Sequence, residues 1–124
     1  MAAPNIVNVT SLLGKTAYDT DIATSASAIL TNAASSNKVL KVNSLIIANI
    51  DGSDSADITA TLCDASGTIL SSLASTISVP GDSTLVVISK DTSIYLEEDR
   101  AIFLTASAAG DLSGTISYEE LDDA

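Results

Sequence analysis

Histidine and tryptophan are missing from this chain, and cysteine, methionine and phenylalanine occur once each. Without histidine it lacks the side chain most easily poised for proton transfer near neutral pH, which is also the commonest metal ligand. Paired carboxylates or a Ser–Lys pair remain open to it, but the balance moves from catalysis towards folding and binding. A single cysteine, Cys63, excludes an intramolecular disulfide. Phe103, Tyr18, Tyr95 and Tyr118 are the only rings, so Ile, Val, Leu and Ala must fill the core and no aromatic platform is available for stacking on a sugar.

Basic residues are also scarce. Lys15, Lys38, Lys41, Lys90 and Arg100 stand against 16 acids, for a formal charge of −11. Nucleic-acid binders cluster cations against phosphates, and anionic membranes attract the same cations; this composition argues against both partners. Acidity of this degree favours solubility, or a partner with a basic surface. No apolar run approaches the roughly 20 residues that a membrane-spanning helix needs. The start, Met1-Ala2-Ala3-Pro4-Asn5, lacks the basic and apolar regions of a signal peptide.

What the chain does have is alternation. At 124 residues it suits one domain, and its Ile, Val and Thr favour strands. Asn5 to Leu13 reads as a strand-like opening closed by a turn at Gly14-Lys15, followed by a loop or weak edge over 18–24. Residues 25–31 alternate, with Ala26, Ala28 and Leu30 on one face, and 32–37 read as a turn. The strongest strand is 38–50. Its apolar parity changes at Asn43-Ser44, which predicts a bulge or a passage into a region buried on both faces.

Further strands follow at 56–63, 68–79, 83–90, 94–96, 101–107 and 112–121, separated by turn signals. Asp64-Ala65-Ser66-Gly67 has hairpin composition. Pro80-Gly81-Asp82 reads as a tight turn in which Gly81 supplies the positive φ. This spacing predicts an all-β fold, an antiparallel β-sandwich of jelly-roll or Ig-like type with about eight short strands. The expected division is an extended arm or edge strand over 1–12 and a single sandwich over 13–124.

The motifs that resemble chemistry are weak. Gly14-Lys15-Thr16 lacks the earlier glycine of a phosphate-binding loop, where Val9 stands, and no helix start follows it. Asp51, Asp54 and Asp57 could offer oxygens to calcium, but their spacing and the missing terminal Glu differ from an EF-hand loop; they read as a solvated turn. Glu97, Glu98 and Asp99 are neighbours on a turn, not carboxylates opposed across a sugar. Cys63 shares a face with Thr59 and Thr61 and has no histidine to activate it. Asn8-Val9-Thr10 is a glycosylation sequon by pattern alone. No catalytic residue, cofactor site or metal site is expected.

Several phrases carry a resemblance: Met1 to Ser11, Lys41 to Ile50, Val79 to Ile88, Ile94 to Glu98 and Ser117 to Glu120. In these the chain resembles small virion structural proteins of tailed phages that infect marine cyanobacteria. The resemblance implies a non-enzymatic virion component made in the host cytoplasm, and within that class a capsid decoration (cement) protein on the outer face of the head. The alternative is a neck, tail or fibre component used for assembly or receptor binding. The implied partners are the major capsid protein or other virion proteins, with further copies in a homo-oligomer such as a trimer. Asn5, Ile6, Val7 and Val9 form the candidate assembly arm, able to add a strand to a neighbour's sheet edge.

Overall fold

A computed structural model describes residues 9–122. Nine strands lie among them: β1 (Ser11–Asp19), β2 (Ser27–Asn32), β3 (Lys38–Asn49), β4 (Ala56–Cys63), β5 (Ile69–Val79), β6 (Thr84–Ile88), β7 (Ile94–Leu96), β8 (Arg100–Ala106) and β9 (Leu112–Asp122), with one 3-10 turn at Lys90–Thr92. One sheet has the order β1-β9-β3-β6, with β7 also paired to β3; the other is β2-β8-β4-β5. Every pairing is antiparallel. Counting β6 and β7 as one position beside β3, consecutive strands pass between the sheets everywhere except at the β4–β5 hairpin, which is the interleaved order of a jelly roll. That architecture also serves viral capsid and lectin domains. The all-β sandwich expected from the strand spacing is thus the fold, and the jelly-roll form is the one adopted.

The core lies between the sheets and is aliphatic, as the shortage of rings requires. Ile22, Val42, Leu45, Ile47, Ile58, Ile102, Leu104, Leu112 and Ile116 are fully buried in it. Burying each such side chain contributes about 1.5–3 kcal/mol. Small residues let the sheets approach. A Cβ on Gly114 of β9 would lie 3.1 Å from Leu104 and 3.2 Å from Ile29 on the facing sheet.

The parity change in β3 is a bulge. Against β9 the register shifts between Val42 and Ser44, so Val42 and Leu45 both point into the core. Ile102, Leu104 and Ala106 share the buried face of β8. The hairpin at Asp64–Gly67 closes with Asp64 N donating to Thr68 O at 3.0 Å, and Gly67 takes φ +101°.

Four local expectations are corrected. Gly14-Lys15 is the middle of β1, paired to Glu119 and Tyr118; the β9 partner keeps extended what reads alone as a turn. Ala28 and Leu30 do not share a face, because a bulge between them leaves Ala28 exposed and Leu30 buried. Asn32 belongs to β2 and is buried. At Pro80-Gly81-Asp82 the positive φ falls on Asp82, at 60°. Gly81 is needed for space instead: a Cβ there would sit 3.0 Å from the Asp51 carbonyl oxygen.

Two buried asparagines clip the sheets together at opposite ends. Asn32 Nδ2 donates to the carbonyls of Lys38 (2.8 Å) and Leu96 (3.0 Å), in the other sheet. Asn49 Nδ2 donates to the Val79 carbonyl (2.8 Å), also across the sandwich, and to that of Asp54 (2.9 Å). Among the described residues no buried side-chain nitrogen or oxygen lacks a partner.

Candidate assembly surface

The outer strands are β1 and, side by side along β3, β6 and the three-residue β7 in one sheet, and β2 and β5 in the other. β2, β5 and β6 carry no charged residue, and β1 carries only Lys15 and Asp19. Charges on strands concentrate instead on the inner ones: Lys38, Lys41, Asp57, Arg100, Glu119, Glu120 and Asp122. This reverses the usual protection of soluble sheets, whose edges carry Lys, Pro or inward-pointing charge to discourage pairing with another chain. In a chain of net charge −11 the outer strands present Ser, Thr, Ala and aliphatic side chains.

Two outer strands are exposed on both faces. On β1, Leu12 and Leu13 are 57% and 49% exposed; on β5, Ile69 and Leu70 are 64% and 50% exposed. Successive residues of the regular β1 point to opposite faces, and on β5 the four residues from Ile69 to Ser72 are all exposed, so at these places neither face is covered. On β5 a bulge contributes: the register moves from Leu62↔Ser71 to Cys63↔Ile69, leaving Leu70 unmatched and re-aiming it. On β1 the pairing with β9 is regular throughout. It is reinforced by Glu120 on β9, whose carboxylate accepts from Lys15 at 2.8 Å and from Lys38 on β3 at 3.0 Å. The Lys15 hydrogen bond is the main cause holding the Glu120 carboxyl below its ordinary pKa, and Glu120 in turn raises Lys15.

Of the candidate arm, Asn5, Ile6 and Val7 lie outside the described residues; Val9 is half-buried. It leads into Thr10, whose backbone N–H donates to the Asp122 carbonyl at 3.1 Å. The arm thus joins the domain where β9 ends.

The residues weighed for chemistry hold loops in place. Asp51 Oδ1 accepts from Ser53 N (2.9 Å), Ser53 Oγ (3.2 Å) and Asp54 N (3.2 Å), and these donors lower its pKa. Asp57 is anchored through its backbone to Ser107 Oγ at 2.8 Å. Partial burial, then the charge of Asp51, raises Asp111. Among the described residues no group of three or more His, Cys, Asp or Glu is placed to hold a metal. Glu98 accepts from Asn37 N (3.4 Å) and Asp99 from Ala65 N (3.2 Å), so this acidic turn stitches neighbouring loops. Cys63 is buried, its Sγ 3.2 Å from Thr61 Oγ1 on the same face.

Sequence reasoning passed over Leu12-Leu13 and Ile69-Leu70. Their signal was present: an apolar doublet near the start of a strand breaks the in–out alternation, and one member must face outward unless both faces are covered.

No family model matches the chain, and no curated protein is similar to it. A solved structure shares its fold: a protein of Bacillus endospore appendages, described as forming a novel family of disulfide-linked pili. The match has a TM-score of 0.52 and 13% identity, and covers 92% of this chain and 90% of that one.

Proposed function

We propose that this chain is a non-enzymatic structural subunit of a phage particle, a decoration protein that binds the outer face of the head and stabilises the shell. The observation that carries the structural role is the placement of charge: outer strands kept almost free of it around a closed aliphatic core. A solitary soluble domain gains nothing from such edges, whereas a subunit that packs among others does. The fold shared with a pilus-forming protein supports an assembly role. The disulfide linkage named for those pili is not expected here, because Cys63 is the single cysteine and is buried. The phage-head location rests on the resemblance in the opening, central and closing phrases of the sequence.

On this reading the segment from Asn5 to Val9 reaches the shell, and many weak contacts are multiplied by copy number. Purified chain added to heads that lack it is expected to bind saturably and to raise the temperature at which they rupture. Replacing Ile6 or Val7 by Asp should weaken attachment while the circular dichroism of the domain is unchanged. Heads that neither bind the chain nor gain stability contradict the decoration role. Full occupancy by the Asp variants contradicts the arm.

The fold of the pilus-forming neighbour favours one second reading, a neck, tail or fibre component in which copies build an elongated structure.

A further inference from the structure

We infer that copies of this chain join side by side, the Leu12–Leu13 edge of one against the Ile69–Leu70 edge of the next. Among the described residues these are the two places where consecutive large apolar residues are both exposed. Their positions in the fold are complementary. β1 is an edge of one sheet and β5 an edge of the other. Both doublets lie at the same end of the sandwich: Leu12 pairs with Leu121, which pairs with Val39, while Ile69 pairs with Cys63, which pairs with Ala101 at the start of β8. Asn32, paired to Arg100 and bonded to the Lys38 carbonyl, ties these strand ends together. β1 and β5 run in the same direction from that end. Copies standing in one common orientation therefore bring the two doublets level.

Two unlike apolar edges held at one level favour a second copy as the occupant, and charge permits it. A partner with net charge −11 is repelled by most of this surface, but residues 9–14 and 65–79 contain no charged side chain. The seam strands themselves bring no like charges together, the acids that flank it being Asp122 beside Ser11 and Asp64 beside Thr68, and the nearest base, Lys15, is already engaged by Glu120. Farther along the same strands β1 exposes Tyr18 and β5 exposes Ile77, which extends the apolar contact. The contact is heterologous, using different surfaces on its two sides, so it propagates into a ring or an open row. One pair of edge strands is small beside the roughly 800 Å² per partner of a stable complex. A single seam is therefore weak, and association grows with concentration. This inference does not depend on where the chain sits on a particle.

The test is sedimentation velocity of the full chain over a wide concentration range, with Leu13→Asp, Leu70→Asp and, as a charge control, Ile50→Asp on an exposed loop. Wild type and Ile50→Asp should rise above the 12.6 kDa monomer as concentration increases, while each edge variant alone stays monomeric. Mixed in equal amounts, the two edge variants should form dimers and nothing larger, because each retains the half of the seam that the other lacks. Circular dichroism checks folding, and Leu12→Asp or Ile69→Asp replaces any variant that fails it. Four results overturn the inference: a monomeric wild type at every concentration, an edge variant that still associates alone, a mixture that stays monomeric, or loss of association in Ile50→Asp.

Discussion

Asn49 illustrates how a polar side chain can hold an aliphatic sandwich together. Its amide donates to the Val79 and Asp54 carbonyls, and its Oδ1 accepts from the Asp51 backbone at 2.8 Å. Asn49→Ala removes these three hydrogen bonds, one of them to the carbonyl of the fully buried Val79. At about 1–3 kcal/mol per unsatisfied buried group, the expected loss is about 3 kcal/mol, read as a lower urea midpoint with an unchanged slope; an unshifted midpoint contradicts the clip. Nothing local in the sequence reveals this role. Asn favours turns through its own backbone, which is why Asn32 reads as the start of one. The carbonyls that redefine both asparagines come from the opposite sheet. Gly81 and Asp82 show the same limit: the turn was legible, but the demand for space at Gly81 comes from the distant Asp51 loop.

Single strands were legible where apolar contrast is high. The bulge in β3 follows from Val42 and Leu45 both being large and apolar on opposite parities, since a regular strand could bury only one of them. The bulge in β2 was hidden because alanines there blur the two faces. β1 was cut short because Gly14-Lys15 has turn composition, whereas its extended form depends on β9 and on the bridge from Lys15 to Glu120. That bridge makes strand attachment sensitive to pH. The Glu120 pKa is lowered in the fold, so its contribution is complete above the ordinary carboxylate range and is lost as pH falls through the depressed value. Lys15, raised by the same contact, adds a contribution that is lost as pH rises through its elevated value. Glu120→Gln should therefore lower the thermal midpoint by a few degrees at neutral pH, with the gap closing in acid. A gap that persists unchanged at low pH contradicts the ionic origin.

At the scale of the whole molecule, the sheets form a closed core while their outer strands stay almost uncharged. The β-sandwich was legible from strand spacing, but composition could not show which strands lie outermost. The edge positions of β1, β2, β5 and β6 follow from pairings between residues far apart in the chain, and only then does the charge pattern acquire meaning. The Ser- and Thr-rich strands β2 and β5 are seen to line edges only once the pairings are known, and it is this placement that motivates the proposed assembly role. The proposed role as a phage-head decoration protein is tested most directly by cryo-electron microscopy of phage heads to which the purified chain has been added, with the number of copies per head determined. The account predicts jelly-roll density repeated across the outer face of the head, in many copies and with adjoining domains in a common orientation. Density confined to a few copies at the neck or tail, or no copies on the particle, contradicts it.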